Sequence, residues 1–383
     1  MKEIKVGVIG GGSRGWLAES NKENIKRKIR VAGICDIKDS ILEEYKKKYS
    51  GDILVTKNYK DVLKIKDLDA VFICTPDFLH EEHALAALSM KHTVFLEKPM
   101  AITIAGCDRI LKAAKDNRAK LFVGHNMRYM AFTRQMKKII DDGIIGDVKA
   151  IWCRHFVSYG GDAYFRDWHS ERKNTTGLLL QKGAHDIDII HWLAGSYTKK
   201  VTAFGSLSIY DKCKRSDAGI VWNQSNWPPL EQTGMSRKID VEDQNMVLME
   251  LENGVMASYL QCHFTPDAFR NYTIIGTRGR IENMDETTTV HVWNKRVDGC
   301  AKPDIVYNLP GQAGGHGGAD PTMLNEFFEF VTTGCKTYTS PVAARYSVST
   351  GCQATMSLRN GGKPLSIPKL NSDIAKYFNS LTR

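Results

Sequence analysis

The sequence predicts an α/β protein, with an N-terminal doubly wound parallel sheet followed by a second domain built around an antiparallel sheet. Three observations carry that reading. A glycine fingerprint, Gly10, Gly12 and Gly15, directly follows a short β-rich run. Apolar runs and helical patterns then alternate through the first third of the chain. From residue 148 onward β-rich segments recur with short turns between them.

The first β-rich run is Ile4–Ile9, and it leads into Gly10-Gly11-Gly12-Ser13-Arg14-Gly15, which fits G-x-G-x-x-G. The first glycine allows the tight turn, the second lets a pyrophosphate approach the backbone, and the third lets the following helix pack on the strand. Free N–H groups at the helix start suit phosphate. A second run, residues 31–35, ends in Asp36, near the offset at which an acid accepts hydrogen bonds from the adenosine ribose hydroxyls. An acid there repels a 2′-phosphate and so favours NAD over NADP, a preference that the nearby Lys38 weakens. Residues 68–74 form a nearly continuous apolar run, as expected of a parallel strand covered on both faces, and stop at Thr75-Pro76. A helical pattern with Ala84, Leu85, Ala87 and Leu88 precedes a strand at 93–96, which ends in Glu97-Lys98-Pro99; a helix over 103–117 and a strand over 120–123 follow. Thr75-Pro76 and Glu97-Lys98-Pro99 thus fall at strand carboxyl ends, where such sheets bind ligands.

Residues 129–142 carry a helical pattern with Met136, Ile139 and Ile140 on its apolar face. Beyond it, β-rich segments recur at 148–157, 201–209, 244–251, 255–263, 272–275 and 287–293. Glu252-Asn253-Gly254 is a hairpin signal, and residues 276–279 form another turn. Between the first two of these segments lies Gln181-Lys182-Gly183-Ala184-His185-Asp186-Ile187-Asp188, expected on one helix over 178–193, where Gln181, His185 and Asp188 share a face. A neutral histidine can take a hydroxyl proton, and Asp188 one turn on could orient the ring; the alternative is a buried structural histidine.

Lys98 has a similar double reading. It could pair only with Glu97 or a carbonyl, or it could hydrogen-bond a reacting oxygen and stabilise developing alkoxide. Trp168-His169-Ser170-Glu171-Arg172 reads either as a sugar-binding loop or as an interdomain loop. In the Gly-rich stretch 314–321, Asp320 reads as a helix N-cap with Pro321 at the first helical position, while His316 between glycine pairs suggests close approach to a ligand. No metal-ligand spacing accompanies the histidines.

Composition agrees with this outline. A chain of 383 residues, 42% hydrophobic, suffices for two domains with full cores. Its nine cysteines form no C-x-x-C pair and read as reduced residues of a cytoplasmic protein; no apolar leader or membrane-length run is expected. The net charge of +10 is clustered at Lys26-Arg27-Lys28, residues 46–48 and Lys199-Lys200 without interleaved aromatics, so these clusters read as solvated surface and no nucleic-acid partner is expected. Arg154, Arg166, Arg172 and Lys173 make a uronate or a phosphorylated sugar a candidate substrate class.

The glycine turn, Cys74-Thr75-Pro76-Asp77 with His80, Glu97-Lys98-Pro99, and Gly124-His125-Asn126-Met127-Arg128-Tyr129 together resemble the Gfo/Idh/MocA oxidoreductases, named for glucose-fructose oxidoreductase and inositol dehydrogenase. The resemblance covers nearly the whole chain. It implies a Rossmann domain (1–124) and a substrate-binding and oligomerisation α/β domain (125–383) with a large open-faced sheet, the extreme C-terminus packing back on the first domain, an active site between the domains, and a homo-oligomer. It further implies a cis peptide bond before Pro99 and NAD(P)-dependent hydride transfer on a secondary alcohol or ketone of a sugar, polyol or glycoside.

The candidate catalytic residues are then Lys98 and His185. The cofactor-binding set is Gly10, Gly12, Ser13, Arg14, Gly15, Asp36, Thr75, Pro76, His80, Glu97, Lys98 and Asn126. The substrate-binding set is Arg128, Arg154, Trp168, Arg172, Gln181, Lys182 and His316. Inositol-dehydrogenase-like members carry an aspartate four residues before the histidine, where this chain has Gln181, and Lys182 is a candidate replacement. Two other readings stay open: a glycosidase or lyase that works by transient ring oxidation, elimination and re-reduction, and a non-catalytic nucleotide-sensing regulator.

Overall fold

The computed structural model describes residues 3–12, 14–19, 28–49, 52–216, 231–284, 289–310 and 315–382. Ser13, Lys26 and Arg27 therefore lie outside the described residues. The chain divides into two compact units, one of Met1–Tyr129, Ala313–Arg345 and Lys369–Arg383, the other of Met130–Gln312 and Tyr346–Pro368.

The first unit contains, among the described residues, a six-stranded parallel sheet of β1 (Ile4–Ile9), β2 (Ile29–Cys35), β3 (Leu54–Thr56), β4 (Ala70–Ile73), β5 (Val94–Leu96) and β6 (Leu121–Val123). Their order is β3-β2-β1-β4-β5-β6. Strand order reverses between β1 and β4, which makes the carboxyl ends of those two strands the ligand crevice of a doubly wound sheet. Every residue of β4, β5 and β6 is buried, in keeping with their unbroken apolar sequences. Parallel register aligns Phe72 with Phe95 and Phe95 with Phe122. The three rings stack at 4.8 and 5.7 Å, and Phe327 of the helix Ala319–Thr333 meets them edge-on at 5.2, 5.2 and 5.4 Å. Lys120 Nζ donates to the Phe330 and Val331 carbonyls at 3.1 and 2.9 Å near the carboxyl end of that helix, where a cation is favoured.

In the second unit the strands are β7 (Val148–Phe156), β8 (Thr198–Ser206), β9 (Lys214–Ser216), β10 (Glu231–Thr233), β11 (Gln244–Leu251), β12 (Met256–Cys262), β13 (Phe269–Gly276), β14 (Gly279–Asn283), β15 (Thr289–Trp293), β16 (Ile305–Asn308) and β17 (Leu365–Ser366). Nine of them form a mixed sheet in the order β16-β15-β14-β13-β7-β12-β11-β8-β17, antiparallel except for the β7–β12 pair. The hairpin expected at Glu252-Asn253-Gly254 joins β11 to β12, with Gly254 in the left-handed region. Alternation in β11 is strict: Asn245, Val247, Met249 and Leu251 are buried while Met246 and Leu248 are exposed. One face packs on the helix Gly183–Ala194, and the other is open and carries Trp152, Phe204, Met246, Leu248 and Met256, each 50–64% exposed.

The single helix expected over 178–193 is two segments, Leu178–Gln181 and Gly183–Ala194, with Lys182 at the junction. Gly183, a poor helix former, stands at the break. Strands β14, β16 and β17 escaped the sequence patterns because they are short and mostly half-buried or exposed. Among the described residues no helix is long and apolar enough to cross a membrane.

Candidate active site

The glycine turn follows β1 directly. Gly10 N donates to the Cys35 carbonyl at 2.8 Å, and Gly10 adopts φ +89°. A Cβ there would lie 2.7 Å from the Cys74 carbonyl carbon at the end of β4, so glycine is required for both conformation and space. Gly12 differs: among the described residues a Cβ on it would meet nothing within 4 Å. The turn thus presents open space at its second glycine, where a pyrophosphate would approach the backbone. Gly15 opens a short 3-10 segment, Gly15–Glu19. Asp36, just past β2, accepts from Gly11 N through Oδ2 and from Lys38 N through Oδ1, both at 2.9 Å. Each oxygen keeps a second lone pair for a ribose hydroxyl.

Around the ends of β4, β5 and β6 the first unit gathers charge. Arg14 donates from Nε to Glu97 Oε1 at 2.9 Å and from its two terminal nitrogens to Asp320 at 3.0 and 3.1 Å. Asn126 Nδ2 also reaches Asp320 Oδ1 at 2.9 Å, and His316 Nδ1 lies 2.9 Å from Asp320 Oδ2. Asp320 is fully buried; burial opposes its charge, but His316 and Arg14 outweigh that and hold its carboxyl well below the usual range. Asp320 is therefore not the N-cap expected from the sequence. Gly318, at φ +80°, takes the cap position, and Asp320 lies inside the first turn with its side chain turned to Arg14.

Lys98 follows β5, half-buried, with its backbone N–H donating to Glu97 Oε2 at 3.1 Å, and the Lys98–Pro99 bond is cis as the resemblance implied. His80 is buried and spans the two strand ends, its ring nitrogens 2.9 Å from the Thr75 carbonyl and 2.7 Å from the Pro99 carbonyl; burial keeps its pKa below the ordinary value despite both contacts. Thr75 Oγ1 in turn lies 3.1 Å from His83 Nδ1. Between these loops sits Asp77, which follows Pro76 and is buried. Burial pushes its carboxyl up to about 8, with Lys98 pulling it down and Glu97 pushing it up. The buried Asp77 Oδ2 and Asn126 Oδ1 have no hydrogen-bond partner among the described residues. Open space at Gly12, the Asp36 carboxylate and these polar atoms at the strand ends fit a dinucleotide. Arg128, expected at the substrate, is buried with a terminal nitrogen donating to the Tyr338 carbonyl at 2.8 Å.

In the second unit Gln181, Lys182, His185, Asp186 and Asp188 are all buried. Asp186, the neighbour of His185, is the hub beneath the helix. It accepts from Tyr272 Oη at 2.5 Å and Tyr259 Oη at 3.0 Å, and meets Arg270 Nε at 3.2 Å and His155 Nδ1 at 3.1 Å. Burial opposes ionisation of Asp186, but Arg270 and then His155 hold its carboxyl well below the usual range. Burial and Arg270 push His155 down to about 3 against the pull of Asp186, so Arg270 supplies the counter-charge and His155 stays neutral. Lys182 Nζ donates to Tyr159 Oη at 3.1 Å. Trp168 stacks on His169 at 3.7 Å.

The cations expected at the substrate separate here. Arg154 alternates with the buried Cys153 and His155 along β7 and so lies on the open face of the sheet, bonded to Asn271 Oδ1 at 2.8 Å; the sheet stands between it and the helix of His185. Arg166 pairs with Asp162 at 3.1 Å, Arg172 with Glu242 at 3.0 Å and Lys173 with Glu171 at 3.1 Å. Asp77, Asp186 and Asp320 are the residues that sequence reading undervalued. Adjacency to Thr75-Pro76 and His185 was the available signal for the first two; for Asp320 only His316 is near in sequence, while Arg14 and Asn126 are 306 and 194 residues away. Among the described residues no cluster of three or more His, Cys, Asp or Glu could hold a metal ion.

Two predictions follow from the first unit. Gly12→Ala should leave urea-unfolding stability within about 0.5 kcal/mol while weakening NAD binding at least about tenfold; Gly10→Ala should destabilise by about 1–3 kcal/mol. Equal effects of the two on stability would refute the assignment of open space to Gly12. For Asp77, a folded pKa above the unfolded value means that the folded state holds the extra proton. The stability it contributes is complete below about pH 4 and lost as pH rises through about 8. Thermal unfolding between pH 6 and 9 should thus fall more steeply for the wild type than for Asp77→Asn, and parallel curves would count against a protonated Asp77.

Comparison with known proteins gives the family of the chain. Residues 4–125 match the family model described as the NAD-binding Rossmann fold of the oxidoreductase family, and residues 137–367 match its C-terminal alpha/beta domain. The chain is 26% identical over 295 residues to the myo-inositol 2-dehydrogenase of Thermotoga maritima, covering 75% of this chain and 78% of that protein. It is 29% identical over 202 residues to the inositol 2-dehydrogenase of Salmonella typhimurium (strain LT2), covering 52% and 57%. A solved levoglucosan dehydrogenase, in complex with NADH and levoglucosan, shares the fold with a TM-score of 0.79 at 18% identity, over 96% of this chain and 100% of that one. The two family models together span most of the sequence, and the chain belongs to the Gfo/Idh/MocA oxidoreductase family, with an NAD-binding Rossmann domain as its first part.

Proposed function

We propose that the protein is an NAD(P)-dependent dehydrogenase acting on a secondary alcohol or ketone of a sugar, polyol or glycoside. The observation that carries this reading is Lys98, half-buried at the carboxyl end of β5 beside the buried Glu97 and a buried Asp77 whose carboxyl is pushed up by burial. A neutral Asp77 removes a competing negative charge from around Lys98, and the ammonium then favours oxyanion character on a substrate oxygen. When bound, NAD supplies the hydride acceptor. His185, in the first turn of its helix over the Asp186 hub, takes the hydroxyl proton. Gln181 cannot supply the negative charge of an aspartate, so His185 depends on other groups for its basicity. Relatives named for inositol and a structural neighbour named for levoglucosan support a polyhydroxylated substrate.

Lys98→Met and His185→Ala should each lower kcat at least about a hundredfold while the Kd for NADH stays within a factor of about three. Both variants turning over a sugar panel at wild-type rates would sink the assignment. Release of aglycone from glycosides with catalytic NAD and no accumulating NADH would instead select the oxidation–elimination reading.

We infer also that the open sheet face pairs with further copies of the chain, since Trp152, Phe204, Met246, Leu248 and Met256 form an exposed apolar patch on it. Light scattering should give a multimer for the wild type and a smaller species for a Phe204→Glu, Leu248→Glu double variant; a monomeric wild type would exclude the pairing.

A further inference from the structure

Three buried acids of the second unit, Asp186, Asp162 and Glu242, have arginine partners. Arg270 lies against Asp186 at 3.2 Å, Arg166 against Asp162 at 3.1 Å, and Arg172 and Arg359 share Glu242 at 3.0 and 2.8 Å. Lys182 is only 9% exposed, yet among the described residues no carboxylate forms an ion pair with it. Its Nζ meets the Tyr159 hydroxyl at 3.1 Å and lies 5.3 Å from the ring centres of both Tyr159 and Tyr164. Burial works against its charge, but the Tyr164 and Tyr159 hydroxyls outweigh that, so the amine stays protonated. Arg270, which also acts on Lys182, is already committed to Asp186, while His155 and His263 are kept neutral by burial. A buried ammonium whose contacts among the described residues are phenols and their rings carries a desolvation cost that an anion would relieve.

Position gives the anion a context. Lys182 stands three residues before His185 at the junction of two helical segments, a spacing that places neighbouring side chains on one side of a helix. Tyr164 meets the His169 ring edge-on at 5.7 Å, and His169 stacks under Trp168, so aromatic surface of the kind that packs on sugar rings continues from the ammonium. A single cation with a phenol beside it matches one negative charge; a phosphate dianion would call for a second cation, and the nearby arginines are already paired.

We propose that Lys182 receives a carboxylate of the substrate, so that the alcohol oxidised belongs to a sugar acid. This rests on the dehydrogenase reading for its chemistry, though not for its binding step. The test is therefore binding in the presence of NADH, by calorimetry, of glucuronate, galacturonate and gluconate against glucose, galactose and glucose 6-phosphate, for the wild type, Lys182→Met and Lys182→Arg. At least one acid should bind at least about thirtyfold more tightly than its neutral counterpart. That preference should fall to within about threefold in Lys182→Met and persist in Lys182→Arg, with NADH affinity unchanged in all three. Equal affinity for acids and neutral sugars, tighter binding of the phosphate, a preference that survives in Lys182→Met, or no binding by any acid would overturn the proposal. Selective acid binding without NADH formation or consumption on any substrate would refute the dehydrogenase reading and leave the carboxylate receptor standing.

Discussion

The first unit depends on a guanidinium held between two buried carboxylates. Arg14 joins the glycine turn to Glu97 after β5 and to Asp320 in the helix Ala319–Thr333, three places separated by 83 and 306 residues of sequence. Removing either carboxylate would leave the guanidinium with one of its two partners, and removing Arg14 would take from both buried carboxylates the cation they share. The same helix supplies Phe327, two turns beyond Asp320, to the stacked rings of β4, β5 and β6, so ion pairing and apolar packing hold the same face of one element. Lys98 is positioned by this arrangement through Glu97, whose two oxygens serve Arg14 and the Lys98 backbone separately.

A comparable logic operates in the second unit. His185 does not stand on a lone polar stripe. Its neighbour Asp186 reaches the sheet and collects Tyr272, Tyr259, Arg270 and His155 from three strands. Four partners for one carboxylate satisfy its lone pairs and leave the helix one rotational setting against the sheet. The setting explains why Gln181, Lys182, His185 and Asp188 are all buried although the sequence there is polar.

Reading the sequence recovered the parts of this protein that are local. Continuous apolar runs became buried parallel strands because a strand covered on both faces has no polar side to show, as at Phe72 and Phe95. Glycines at 10, 12 and 15 marked the turn and Glu252-Asn253-Gly254 marked a hairpin, because the positive φ of Gly10 and Gly254 and the close approach of the Gly10 carbonyl to Gly15 need glycine. The open-face position of Arg154 and the turn of Asp320 toward Arg14 share one cause. Which face a strand residue takes, and whether a helix-start carboxylate caps its own backbone or turns to a distant arginine, are set by neighbours that no window of sequence contains.

By itself, then, the chain determined its strand and turn content, its cofactor-binding glycine turn and the identity of the two candidate proton-handling residues, since each is encoded by backbone preference or by a short ordered motif. Only the tertiary structure decided the electrostatics. It raised Asp77 to about 8 by burying it, drew Asp320 to Arg14 and Asp186 to Arg270, paired the expected substrate arginines with acids, and left the Lys182 ammonium among tyrosines. Charges become strong or weak through desolvation and through the partners that folding brings within a few ångströms, and neither quantity exists until the chain has folded.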